Sequence, residues 1–138
     1  MKLDASDLLV GRFATIVAKK ALLGETVTIV NCRNAFLSGS KKMVLAKYKR
    51  IWRMGIPSKG PYLHRHPDRF VKRIIRGMLP YKQEKGDKAF KRITCHTDIP
   101  EDIKDEKFET VEQANIKKLP NLKYVQLEDL CKELGAKI

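Results

Sequence analysis

The chain is 138 residues long, enough for one hydrophobic core and cramped for two, and at 43% hydrophobic residues it is expected to fold rather than stay disordered. Its 29 Lys and Arg against 16 Asp and Glu leave a net charge of +13, an excess that calls for a polyanionic partner. Asp4 and Asp7 stand where a secretory signal would be apolar, and no apolar run approaches the roughly 20 residues of a membrane span, so an unexported, cytoplasmic protein is expected.

In chain order, Phe13, Ile16, Val17 and Ala21 fall at helical spacing over residues 11–23, with Gly24 as a stop. The β-branched run Thr26 to Val30 then predicts a buried strand ending at polar Asn31. Ser38-Gly39-Ser40 opens a second helix in which Val44, Tyr48, Ile51 and Trp52 share a face opposite Lys42, Lys49, Arg50 and Arg53. This string falls short of a P-loop, so nucleotide hydrolysis is unsupported. Residues 54–66, with two Gly and two Pro, predict a long loop of the kind that usually serves a function.

Pro67 suits a helix start, and residues 67–79 give the cleanest periodicity. Phe70, Val71, Ile74, Ile75 and Met78 occupy one side of that helix, and Arg69, Lys72, Arg73 and Arg76 the other. A turn over 81–86, a short helix over 87–92 and a strand over 93–97 follow. Tyr124-Val125-Gln126 predicts a last short strand, leading into a closing helix stopped by Gly135. Alternation of this kind implies an α/β layer structure around a small, mostly parallel or mixed sheet, in a single domain spanning 1–138.

The charge is not evenly spread. Residues 41–92 hold 17 basic side chains against only Asp68, Glu84 and Asp87, whereas 93–138 hold 7 basic and 10 acidic. A basic loop-and-helix region thus precedes an acidic segment over 98–138, and nucleic acid is the expected partner of the former. A membrane-surface reading fails because few large aromatics, such as Trp52 and Phe70, are available there to array opposite the charges. Cys32, Cys95 and Cys131 form no C-x-x-C pair, so neither a disulfide scaffold nor a zinc pair is expected, and no spacing supports a cysteine nucleophile with His64, His66 or His96.

The strings Val10-Gly11-Arg12-Phe13-Ala14-Thr15, Val27 to Asn31, Ser38-Gly39-Ser40-Lys41 and above all Arg76-Gly77-Met78-Leu79-Pro80 resemble the large-subunit ribosomal protein L-thirteen family. The likeness runs in order from Leu3 to Ile99, and Tyr124 to Gly135 resembles the family's closing segment. Arg50 to Arg69 looks like the archaeal and eukaryotic branch, and the missing C-terminal helical extension points to the archaeal one. Thr97-Asp98-Ile99-Pro100 stands where bacterial members carry a His-Pro-rich segment.

The resemblance implies a three-layer α/β/α fold around a four-stranded sheet. It also implies a structural role in the large ribosomal subunit, bound to large-subunit ribosomal RNA beside neighbouring ribosomal proteins. No cofactor, metal, small-molecule substrate or membrane contact is expected, nor a stable homo-oligomer. The expected RNA contacts are Arg12, Lys41, Lys42, Lys49, Arg50, Arg53, Lys59, Arg65, Arg69, Arg73 and Arg76, with Tyr62, His64 and His66 as candidates to stack on bases. Gly77 and Pro80 are expected to form a structural turn that aims Arg76. Two rivals belong to other classes. An RNA-processing enzyme would need convergent carboxylates or a metal site, and a DNA-binding regulator would need a helix-turn-helix or zinc pattern.

Overall fold

The computed structural model describes residues 1–138. Three short strands, β1 (Lys2–Asp4), β2 (Val27–Val30) and β4 (Ile93–Cys95), form a parallel sheet in the order β1-β2-β4. Its register places Leu3 beside Ile29 and Ile29 beside Cys95, with Val27 beside Ile93. Because side chains alternate along a strand, Leu3, Val27, Ile29 and Ile93 all enter the core from one face.

Four helices supply most of the rest of that core. Helix α1 (Val10–Leu22) buries Val10, Phe13, Ala14, Val17, Ala18 and Ala21, a stripe at three- and four-residue spacing. It packs along α3 (Pro67–Met78), which buries Phe70, Val71 and Ile75. It also meets α4 (Glu84–Lys91), where Ala89 is buried. The closing α5 (Leu127–Glu133) adds Leu127, Leu130 and Cys131, and Gly135 at φ 92° ends it as a left-handed cap. One buried cluster therefore draws on residues from Leu3 to Leu134.

Helix α2 (Lys41–Arg53) is the exception, since none of its residues is fully buried. Val44, Leu45 and Tyr48 reach the core's edge, whereas Trp52 at its far end is 46% exposed. The apolar face expected from spacing is present, but it is exposed at its last turn, which leads into the 54–66 loop.

The expected four-stranded sheet does not form as one sheet. β1 ends after three residues because the Asp4 carboxylate accepts from the Ser6 N–H at 2.9 Å and turns the chain. At its open edge a fourth strand shrinks to one residue: the Glu109 N–H donates to the Lys2 carbonyl at 2.8 Å, and the Asp4 N–H to the Glu109 carbonyl at 3.0 Å. Two further strands, β3 (Phe36–Ser38) and β5 (Tyr124–Gln126), pair antiparallel as a separate ribbon. β5 was legible in the sequence; β3, three residues between a 3-10 turn and Gly39, has no alternation to reveal it.

The expected third layer is thin as well. Right-handed crossovers place the connection from β4 to Glu109 on the sheet's other face, and there it contains a single 3-10 turn, Glu101–Ile103. Lys2 points to that face and meets the Glu106 carboxylate in an ion pair. Thr28 is half-buried there and Thr94 exposed, and Val30 is the only strand residue fully buried on that side.

Candidate nucleic-acid interface

Helix α3 carries the basic surface. Pro67 occupies its first turn, where the missing N–H costs nothing, and Asp68 sits in the same turn, where the helix dipole favours an acid. With Phe70, Val71 and Ile75 turned inward, Arg69, Lys72, Arg73 and Arg76 are left along the outer side, as the periodicity requires. Rigid packing below fixes the spacing of the charges above.

The 54–66 loop folds back against this row. Gly55 (φ 77°) approaches Gly60 so closely that a Cβ there would lie 1.9 Å from the Gly60 carbonyl oxygen. The Tyr62 hydroxyl donates to the Ser58 carbonyl at 2.7 Å, and Arg73 Nη1 donates to the Tyr62 carbonyl at 2.7 Å. Between loop and helix runs an open groove of about 500 Å³, lined by Tyr62, His64, Arg69, Lys72, Arg73, Arg76 and Phe90. A second, of about 440 Å³, shares His64 and Arg69 and adds Arg65, His66 and Lys137. A third, of about 470 Å³, shares Tyr62 and Arg65 and adds Trp52 and Arg53. The shared walls make the three grooves continuous around residues 60–66.

These cations are not neutralised from within. Of the basic residues from Lys41 to Arg76, only Lys49 has a carboxylate within reach, that of Glu133 at 4.0 Å. Their companions are aromatic: Arg76 lies 4.4 Å from the Tyr81 ring centre, Lys72 5.0 Å from Phe90, and Arg65 5.0 Å from Trp52. A ring face orients a cation without cancelling its charge. The Arg65 guanidinium also lies close to Gly135, where a Cβ would come within 3.1 Å of its Nη1.

The structure gathers Arg53, Tyr62, His64, Arg65, His66, Arg69, Arg73 and Arg76 on the joined grooves. His66 precedes α3, and its carbonyl accepts from the Phe70 N–H at 2.9 Å. Arg50 and Lys59 are exposed near this surface in sequence but line none of the three grooves. Lys41 and Lys42 lie at the opposite end of α2, and Arg12 lies on α1, where it makes only a long 3.4 Å bond to the Gln113 carbonyl. Gly77 is inside the last turn of α3 with open space around it; the chain leaves the helix at Leu79, just before Pro80. Lys72, Lys137 and Phe90 also line the grooves and are not among the residues expected from the sequence, although Lys72 falls on the cationic side by spacing alone.

The acids offer no rival chemistry. The Asp4 carboxylate already accepts from Ser6 N–H, Ser6 Oγ and Asn31 Nδ2, Asp98 pairs with Arg33 at 2.8 Å, and Glu101 with Lys104 at 3.5 Å. Burial, with the Asp68 charge adding to it, pushes the Cys131 thiol up to about 12. The Cys32 thiol is also raised, chiefly by a hydrogen bond with the free Cys95 thiol and then by burial, so neither Cys131 nor Cys32 is poised as a thiolate. Tyr48 is likewise held protonated by burial, against a smaller opposing effect of Arg73.

A small α/β body whose basic grooves hold no carboxylate, with no convergent acid–base set, has the make-up of a polyanion-binding protein. The family described as Ribosomal protein L13 matches residues 1–102, and the chain belongs to that family. It is 44% identical to the large ribosomal subunit protein uL13 of Methanococcoides burtonii over 98% of this chain and 97% of that one. Identity to the Archaeoglobus fulgidus uL13 is 39% (96% of this chain, 86% of that one), and to the Methanococcus maripaludis uL13 it is 41% (97% and 96%).

Proposed function

We propose that the chain is a structural constituent of the large ribosomal subunit that binds large-subunit ribosomal RNA, with neighbouring ribosomal proteins as its other partners. It works as a single domain at the ribosome in the cytoplasm, without cofactor, catalysis or stable self-association. The observation that carries this reading is the row Arg69, Lys72, Arg73 and Arg76 facing the 60–66 segment across a groove with no carboxylate to neutralise it. Phosphate oxygens would meet guanidinium forks there, and Arg bonds phosphate bidentately. Tyr62 and His64, both exposed on the groove wall, are placed to stack on unpaired bases.

Binding of the pure protein to deproteinised large-subunit RNA tests this across a salt series. If about six phosphates are engaged, log affinity should fall against log salt with a slope of roughly −4 to −5. A flat salt response, or tighter binding to duplex DNA than to this RNA, would overturn the reading; so would metal-dependent RNA cleavage by the protein.

A further inference from the structure

The three cysteines are free, and the fold treats them differently. Cys131 is buried within α5, whereas Cys32 and Cys95 stand on neighbouring stretches of chain at one end of the parallel sheet. Ile29 of β2 and Cys95 of β4 are register partners, so their side chains share the core-facing side. Beyond them the ladder slips by one residue. The His96 N–H donates to the Ile29 carbonyl at 2.8 Å, and in an unbroken parallel ladder Asn31 would be the next donor, to the His96 carbonyl. The Cys32 N–H makes that bond instead, at 3.2 Å. Asn31 is the extra residue of a bulge: it takes a left-handed φ of 56°, and its Nδ2 donates to the Asp4 carboxylate at 3.0 Å.

The bulge decides where the Cys32 side chain goes. Regular alternation from Ile29 would turn residue 32 away from the core, and the inserted Asn31 reverses this. Cys32 is accordingly fully buried in the core cluster, against which Cys95 also packs. Adjacent strands lie about 4.8 Å apart, within the span that a disulfide bridges. The two thiols are hydrogen-bonded to each other. Only Cys95, which is half-buried, meets solvent.

We propose that Cys32 and Cys95 form a reversible oxidation site, closed to a disulfide by a peroxide. The Cys95 sulfur attacks one peroxide oxygen and breaks the O–O bond, becoming a sulfenic acid as water leaves. The Cys32 sulfur then attacks the Cys95 sulfur, and the displaced hydroxyl departs with the Cys32 proton as a second water. Two thiols give up two electrons, and one hydrogen peroxide is reduced to two waters. A dithiol reductant reopens the bridge by exchange. The bridge ties together the ends of segment 33–94, which holds α2, the 54–66 loop, α3 and α4, and closing so long a loop limits the unfolded chain. Neither cysteine lines a basic groove, so the site is separate from the RNA-binding surface proposed above.

The full chain, reduced and then treated with hydrogen peroxide without denaturant, tests this by mass spectrometry and thiol titration. Its mass should fall by that of two hydrogen atoms, the Cys32 and Cys95 peptides should be joined, and Cys131 alone should titrate in denaturant. Dithiothreitol should restore the starting mass. The bridged form should melt about 5 °C higher or more. Cys131→Ala, whose folding is checked by its melting curve before oxidation, should bridge as the wild type does. Cys95→Ser should gain neither the bridge nor the rise in melting temperature. Oxygen added at Cys95 without a bridge would overturn the proposal. So would a bridge that includes Cys131 or joins two chains, or one that lowers the melting temperature.

Discussion

Arg73 Nη1 donates to the Tyr62 carbonyl oxygen at 2.7 Å, joining the groove-lining loop to α3, while Arg69 one turn earlier makes no bond within the chain. Two cations on the same helix side therefore have different duties. Arg73 shapes the groove as well as charging it, and Arg69 is free for a ligand. The Arg69→Glu change should lower RNA affinity about tenfold or more, with stability altered by less than about 0.5 kcal/mol. Arg73→Glu should lower affinity at least as much and also speed amide exchange over 61–64. Equal exchange in the two variants would show that the bond does not hold the loop.

Two glycines close to this surface should respond in opposite ways to alanine. A Cβ at Gly77 meets nothing, and glycine inside a helix costs about 1 kcal/mol against alanine, so Gly77→Ala should raise stability by about 0.5–1 kcal/mol. A Cβ at Gly86 would lie 2.0 Å from the Pro80 carbonyl oxygen, in a backbone-to-backbone approach that no rotamer relieves. Gly86→Ala should cost about 2 kcal/mol or more in urea unfolding. An alanine at 86 that matches the wild type would refute the close packing of α4 on Pro80.

Gly77 also marks what could and could not be read from the chain. The helices over 11–23 and 67–79 and the strands at 26–31 and 93–97 were legible because their buried faces repeat at fixed periods, Val10 to Ala21 on α1 and Phe70, Val71 and Ile75 on α3. The cationic side of α3 followed from the same geometry. The role of Gly86 was not legible, because it depends on Pro80 lying against α4 through a tertiary approach that no local pattern encodes. The pairing of β3 with β5 joins residues 86 or more apart, and it alone places Lys123 beside Gly39. The sheet falls short of four strands because the segment at its open edge pairs only through Glu109, as an isolated bridge to Leu3.

Trp52 offers an optical test. It is the chain's single tryptophan, 46% exposed, with Arg65 5.0 Å above its ring and both lining the same groove. RNA added to the wild type should quench its emission by stacking or by displacing Arg65, and Arg65→Ala should shift the free protein's emission to the red as water reaches the ring. No change in emission at saturating RNA would remove the Trp52 groove from the interface.

The buried thiols should make the protein lose stability in alkali. Cys131, pushed up to about 12 from an ordinary 9.0, keeps its proton in the folded state, whereas the unfolded chain releases it above 9. Stability from this group is fully present below pH 9 and declines as pH rises toward 12, by up to about 1.4 kcal/mol per pH unit. Cys32, raised in the same sense, adds to the decline. Urea midpoints measured from pH 8 to 10.5 should fall more steeply for the wild type than for Cys131→Ala; parallel curves would contradict the burial of that thiol.

The scarcity of internal ion pairs along α2 and α3 has a cost that is felt before the protein reaches its partner. A newly made copy holds like charges at fixed separations and must rely on dissolved anions to quiet their mutual repulsion. Dilute buffer should therefore be its least comfortable solvent and moderate sulfate a better one. Docking then relieves an electrical load built into the molecule, so that the nucleic acid completes the stability of the protein as much as the protein braces the nucleic acid.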